Sequence, residues 1–321
     1  MFYKLLRPIL FLFDPEKIHD LLLTCLAIWH FFSINFRQKK CHVTGQVFGL
    51  HFPNPVGLAA GFDKNAKALL AWQDLGFGFI EIGTVTPKPQ AGNPKPRIFR
   101  FPKEKALLNG MGFPNDGIEK VVERLKRAKP KLKIPVGLNI GKNKDTPNEK
   151  AVFDYTKCIE VANPYCDFFV LNVSSPNTEA LRELQNEKYL PHLLEECVAL
   201  SQRPVLLKLS PDLLEEELKT LLRISMEKKV SGFVVSNTTA NYELLPNSKV
   251  GSGGISGKPL FQTSTAQLEF VKQHSNLPII GCGGILSKED AEQKRKAGAD
   301  LIEIYTGLIY EGPGLVRRLV S

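Results

Sequence analysis

Short apolar runs, each followed by a stretch long enough for a crossover helix, predict an α/β fold of the (β/α)8, or TIM-barrel, class with an amphipathic helical extension at its N-terminus. Three observations carry this expectation. The runs number eight, polar residues cluster at the C-terminal end of almost every one, and no linker divides the chain after residue 50.

The N-terminal segment reads MFYKLLRPILFLFDPEKIHDLLLTCLAIWHFFSINFRQKK. Arg7, Pro8, Asp14, Pro15, Glu16, Lys17 and Asp20 keep its apolar stretches well short of the roughly 18 residues a membrane span needs. No small-residue cleavage site follows, which argues against a signal peptide. Two short helices broken at Asp14-Pro15 are predicted, and Ile18, Leu21, Leu22, Cys25, Trp29 and Phe32 recur at the spacing of one helix face. Six basic residues (Lys4, Arg7, Lys17, Arg37, Lys39, Lys40) stand against three acidic ones (Asp14, Glu16, Asp20), a balance that suits a membrane interface. Packing of the pair on the main domain fits the same pattern. Residues 1–40 are thus expected as the extension and 41–321 as the barrel.

The strand-like runs are PVGLAAG (55–61), FGFIEIGTV (77–85), PVGLNIG (135–141), DFFVLNV (167–173), PVLLKLS (204–210), GFVVSN (232–237), PIIGCGG (278–284) and DLIEIYTG (300–307). Amphipathic stretches such as DGIEKVVERLKRA and LLEEELKTLLRISMEKK lie between them. In a barrel the strand ends share one face, so Lys64, Thr84, Asn139, Asn172, Lys208, Asn237, Gly284 and Thr306 are expected to converge. The Gly-, Ser- and Pro-rich stretch 239–260 reads as an active-site loop.

The chain has 321 residues, 43% of them hydrophobic, enough for one barrel-sized core, and carries a net charge of +9. That charge favours acidic small molecules or anionic lipid; without zinc-finger spacing, RNP-like motifs or a long basic tract, nucleic acid is not an expected partner. Cys25, Cys41, Cys158, Cys166, Cys197 and Cys282 form no C-x-x-C pair and read as reduced core residues. The six histidines (His19, His30, His42, His51, His192, His274) are dispersed away from strand ends, so no metal is expected. SSPN at 174–177 is not a G-x-S-x-G elbow, and no histidine is placed to serve it.

What remains is a mouth of amides, hydroxyls and two lysines. GCGGI (281–285) and IYTG (304–307) close the last two strands, where barrels commonly bind phosphate through backbone N–H groups, although glycines serving only turns fit as well. Lys208 sits on an apolar strand, so its ammonium should face an anion or an electron-rich ligand. Lys64 caps the first strand, where a ligand contact and a solvated surface lysine are equally expected. Neutral donors and acceptors suit a planar heterocycle and a lysine suits its anionic reduced state, which makes a phosphate-bearing redox cofactor such as FMN the economical inference.

AAGFDKNA (59–66), IGTVTPKPQAGNPKPRIFR (82–100), NGMGFPNDG (109–117), GLNIGKNKDTP (137–147), LNVSSPNT (171–178), LLKLSPD (206–212), SNTT (236–239), GGISGKPL (253–260), IIGCGGI (279–285) and IYTGLIYEGP (304–313) resemble, in order and over nearly the whole chain, the quinone-dependent (class 2) dihydroorotate dehydrogenases. The resemblance implies FMN held by Ala60, Gly61, Phe62, Asp63, Lys64, Thr84, Asn139, Asn172, Lys208, Ser236, Gly257, Gly284, Tyr305 and Thr306. It implies dihydroorotate at Lys64, Asn109, Gly110, Met111, Gly112, Phe113, Asn172, Asn177, Asn237 and Thr238. Ser175 matches the catalytic base, where class 1 relatives carry Cys, and Thr178 with a water near Phe113 matches the proton relay. His19 and Arg100 match the quinone end, and the N-terminal pair the membrane-docking segment of a monomeric peripheral protein on the cytoplasmic face of a bacterial inner membrane. The substrate loop departs from the family's common N-R-x-G-F: Gly110 in N-G-M-G-F removes a positive charge from the entrance. Two other readings stay open: a class 1-like enzyme with a soluble acceptor, and a non-catalytic membrane-associated barrel that binds a phosphorylated ligand.

Overall fold

A computed structural model describes residues 2–29, 46–246 and 252–321. Phe32, Arg37, Lys39, Lys40, Cys41, His30, His42, the side chain of Trp29, the 40/41 boundary and residues 247–251 of the Gly-rich stretch lie outside the described residues.

The strands are β1 (Val56–Leu58), β2 (Phe79–Val85), β3 (Ile98–Phe101), β4 (Ala106–Asn109), β5 (Val136–Ile140), β6 (Phe168–Asn172), β7 (Val205–Lys208), β8 (Gly232–Val235), β9 (Gly254–Gly257), β10 (Ile279–Cys282) and β11 (Leu301–Ile304). Eight of them close a parallel barrel in the order β1-β2-β5-β6-β7-β8-β10-β11, and β1 pairs with β11 through Val56↔Ile302. These are the eight runs read from the sequence. They are legible because both faces of a parallel barrel strand are buried, leaving few polar interruptions.

Alternation along each strand divides the core. Ile80, Ile82, Leu138, Leu171 and Ile302 pack outward against the helices, while Phe79, Phe168, Leu206, Val234, Ile280 and Leu301 fill the barrel floor. Phe79 and Phe168 meet edge-on with centroids 6.3 Å apart. Gly57 and Gly137 face these two rings, and a Cβ on either would lie 2.2 Å from a ring carbon. Two residues further along β2, β7 and β11 stand Glu81, Lys208 and Glu303, so the filling turns from apolar to charged one layer up.

The antiparallel sheet β3-β4-β9 was not anticipated. All four residues of β3 are half-buried, so the strand lacks a continuous apolar run, and β9 turns part of the expected 239–260 loop into a strand paired to β4 through Leu108↔Ile255.

The N-terminal helices are α1 (Phe2–Leu10) and α2 (Pro15–Trp29). Their break falls where expected: Asp14 Oδ1 accepts from the Glu16 and Lys17 amides at 3.0 and 2.9 Å, and Pro15 opens α2. One side attaches to the barrel. The Tyr3 hydroxyl donates to Ile309 O, Arg7 donates to Tyr310 O at 2.7 Å, Arg97 holds Glu16 at 2.6 and 3.2 Å, and Leu23 is buried. The other side exposes Leu5, Ile9, Leu12, Phe13, Leu21 and Ile28, each by at least 55%. The stripe Leu21, Leu22, Cys25 therefore looks outward, and α2 packs through Glu16, His19, Leu23 and Leu26 instead. Cys25 is accordingly exposed rather than a core residue, while Cys158, Cys166 and Cys197 are buried. No described helix is long and apolar enough to cross a membrane.

Burial opposes ionisation of Glu16, but Arg97 and Lys95 outweigh it and hold the carboxyl below its usual range. This stabilisation is present at neutral pH and is lost as pH falls through the lowered pKa. Glu16→Gln, which leaves Arg97 uncompensated, is expected to weaken the attachment of α2 by about 3 kcal/mol. Amide exchange should quicken over residues 15–29 and not in the barrel strands; equal loss in both would contradict a local tether.

Candidate active site

The C-terminal strand ends meet around one cavity. Its polar wall is a chain of side-chain hydrogen bonds that crosses the strands. Glu81 on β2 accepts from Asn139 Nδ2 on β5, and Thr84 donates to Asn139 Oδ1. Asn172 at the end of β6 donates to Thr84 Oγ1 at 2.8 Å, and Asn237 after β8 donates to Asn172 Oδ1 at 3.1 Å and Ser174 Oγ at 3.0 Å. Each amide is held by the next, so the cavity meets groups of fixed orientation.

On the entrance side Asn177 Nδ2 donates to Asn109 Oδ1 at 3.0 Å, and Asn93 Nδ2 donates to the carbonyls of Asn177 and Gly110. Asn177 Oδ1 and Thr178 Oγ1 are buried without a partner among the described residues. Ser175 is 5% exposed, and its Oγ accepts from the Asn177 amide at 3.2 Å. That bond uses a lone pair and leaves the hydroxyl proton uncommitted.

Lys64 donates to Gly61 O at 2.6 Å, and burial brings its pKa down to about 8. The anion expected beside Lys208 belongs to the protein: Nζ lies 3.3 Å from both Glu81 oxygens and 3.9 Å from Glu303. Burial works against this ammonium, but its acidic surroundings, Glu81 above all, outweigh it and raise its pKa. At the far end Gly257 and Gly284 have φ of +97° and +77°. A Cβ there would lie 2.2 Å from Lys105 O and 2.5 Å from Phe261 Cβ, so only glycine lets the backbone edge the cavity.

Ala60, Gly61, Lys64, Thr84, Asn172, Lys208, Ser236, Gly257, Gly284, Tyr305 and Thr306 line this cavity. So do Asn109, Met111, Gly112, Phe113, Ser175, Asn177, Asn237 and Thr238. Asn139 lies beneath the wall and acts through Thr84 and Glu81. Gly110 and Thr178 line an adjoining cleft with Asn93 and Arg97. Phe62 and Asp63 stand behind the lining. Asp63 is fully buried, and its carboxylate accepts from the Lys67 and Ala68 amides, both at 2.8 Å, and from Trp72 Nε1 at 3.1 Å. Its side chain thus braces the loop that carries Lys64. The Phe62 ring lies 5.0 Å from both Tyr305 and His19, which links α2 to the cavity wall by ring contacts. Burial and the Lys64 cation push His19 down to about 3, so it is neutral at ordinary pH. Arg100 lies at the α1–α2 turn, donating to Leu10 O and Phe13 O with its guanidinium 4.5 Å from the Phe11 centroid.

Sequence reasoning missed Glu81, Glu303, Asn93 and Ser174. The signal for the first two was present: a charge inside an apolar run, in FIEIG and LIEIY, is the feature that singled out Lys208.

A closed parallel barrel with oriented amides, a glycine-edged backbone end and a buried lysine at its mouth defines a barrel enzyme of the kind that works on a substrate beside a bound planar cofactor. The family model for dihydroorotate dehydrogenase matches residues 42–321. The chain is 47% identical to the dihydroorotate dehydrogenase (quinone) of Christiangramia forsetii, over 99% of this chain and 97% of that protein. It is 48% identical to the enzyme of that name from Coxiella burnetii, over 100% and 96%. The crystal structure of DHODH from Eimeria tenella in complex with ferulenol superposes with a TM-score of 0.89 at 36% identity, covering 96% of this chain and 90% of that one. The chain belongs to the dihydroorotate dehydrogenase family, among its quinone-dependent, flavin-using enzymes. Its donor set fits a flavin: neutral amides and hydroxyls for the ring, and free backbone at the glycine end for a phosphate.

Asp63→Ala is expected to leave three donors unpaired and to lower stability by about 3 kcal/mol, read as a fall in melting temperature. The folded fraction should keep the flavin spectrum. Loss of flavin without loss of stability would return Asp63 to the ligand side.

Proposed function

We propose that the chain oxidises (S)-dihydroorotate to orotate in pyrimidine synthesis with FMN as its flavin and Ser175 as the base, and delivers the electrons to a membrane quinone. The observation that carries the reading is the strand end 172–178, where Asn172, Ser175 and Asn177 face one cavity with Lys64 and Lys208.

Bound FMN supplies the acceptor for the substrate's C6 hydride and the route onward to quinone. Ala60, Gly61, Lys64, Thr84, Asn172, Lys208, Ser236, Gly257, Gly284, Tyr305 and Thr306 would hold it, with Asn139 fixing Thr84 from beneath. Asn109, Asn172, Asn177, Asn237 and Thr238 offer the amide and hydroxyl groups that a pyrimidine edge needs, and Lys64 offers a cation to the substrate carboxylate. Met111, Gly112 and Phe113 wall the same pocket. Ser175 takes the C5 proton, and loss of that proton and of the C6 hydride leaves the C5=C6 double bond of orotate. An alcohol is a poor base at neutral pH, so Ser175 releases its own proton as it gains one. The unpartnered Thr178 Oγ1 supports a relay beside Phe113.

The outward apolar side of α1 and α2, with the exposed Lys17 beside it, suits docking on the cytoplasmic face of a bacterial inner membrane. The ring contacts from His19 through Phe62 to Tyr305 support a quinone end at His19 and Arg100, and a neutral imidazole suits an uncharged quinone.

Ser175→Ala is expected to keep its flavin and to slow flavin bleaching by dihydroorotate about 10³-fold; unchanged stopped-flow kinetics would refute the assignment. Lys64 is a cation below about pH 8 and neutral above it. Orotate affinity should therefore hold steady below that pH and fall about tenfold per unit above it. Calorimetric titration should show the decline in the wild type and a weak, flat profile in Lys64→Met.

A further inference from the structure

Beneath the cavity four titratable side chains meet: Glu81 from β2, Lys208 from β7, Cys282 from β10 and Glu303 from β11. Their surroundings differ. Glu81 accepts from Asn139 Nδ2 as well as facing Lys208 at 3.3 Å. Glu303 is 1% exposed, lies 3.9 Å from Lys208, and neither of its oxygens has a hydrogen-bond donor among the described residues. Lys294, on the helix Lys288–Lys296 packed against β11, is fully buried but donates to Ser264 Oγ at 2.6 Å and does not supply the missing charge. Cys282 is a thiol that burial pushes up to about 12, so it adds no anion. One ammonium cannot compensate two ionised carboxylates at this depth. The one with the fewer partners takes the proton.

We propose that Glu303 is a positioning residue that carries a proton and turns it toward Glu81, so that the layer beneath the cavity holds one cation against one anion and Lys208 remains free to serve the cofactor. The inference rests on reading this cavity as the flavin site, since Glu303 and Lys208 both line it. Burial and the neighbouring Glu81 carboxylate push the Glu303 carboxyl well above the usual carboxylate range, in keeping with the geometry. An ionised Glu303 would place a net negative charge under the cofactor and disfavour electron uptake; a protonated one does not.

Infrared difference spectroscopy in H2O and D2O tests this on the holoenzyme without substrate. The wild type at pH 7 should show the carbonyl stretch of a protonated, buried carboxyl that E303Q lacks. Glu81→Gln, which leaves Glu303 as the sole carboxylate for Lys208, should remove the band too, because Glu303 then ionises. The flavin midpoint potential of E303Q should equal that of the wild type at pH 7 and exceed it only at alkaline pH. Absence of a protonated-carboxyl band from the wild type overturns the proposal even if no variant folds. So does a raised potential in E303Q at pH 7, which would mean that a real negative charge had been removed. A protein that shows the band yet is not bleached by dihydroorotate would sink the functional reading and leave Glu303's proton in place.

Discussion

A closed barrel of eight strands has to fill its own interior with side chains, and where that filling changes character decides where a ligand can sit. Here Phe79 and Phe168 take up the floor, and the neighbouring strands carry Gly57 and Gly137 in register with them because no Cβ would fit. One layer higher the inward positions hold Glu81, Asn139, Lys208 and Glu303. A further apolar layer would pack well and often costs less than a buried ion pair, but it would present nothing polar to the mouth. The oriented amides of Asn172 and Asn237 stand on that charged layer through Thr84 and Asn139.

Much of this was legible in the sequence. The barrel strands announce themselves as Gly- and Pro-bounded apolar runs, and the strand-end rule brought Lys64, Thr84, Asn172, Lys208 and Asn237 to one place. The cap sheet was not legible, because β3 is half-buried throughout and β9 finds its partner only in three dimensions. Asp63 shows a different limit. Its place within AAGFDKNA implied a ligand contact, whereas its direction is set by the Lys67 and Ala68 amides and the Trp72 indole. Glu81 and Glu303 carried a readable signal, but what makes them unequal is the donor from Asn139, which reaches only one of them.

The N-terminal pair shows why one helical stripe was not enough to orient it. Periodicity detects an apolar face and cannot say which of two faces is covered. The barrel holds α1 and α2 largely through polar contacts, from Tyr3, Arg7, Glu16 and Arg97, so a large share of their apolar surface stays outward. The attached side also carries the ring contacts that lead from His19 by Phe62 to Tyr305 at the cavity wall.

The cap sheet also bears on how the molecule comes together. Ala106 of β4 pairs with Gly257 of β9, so strands that lie side by side over the mouth are about 150 residues apart along the chain. Bringing such distant segments together costs loop-closure entropy that only a largely formed barrel can offset. As the chain emerges from synthesis, Asn109 and the Ser175 turn exist well before the strand against which Asn109 is fixed. Six of the eight barrel strands precede β9 in the chain, so the side of the pocket that carries Asn109 is fixed only once most of the barrel's sequence is present.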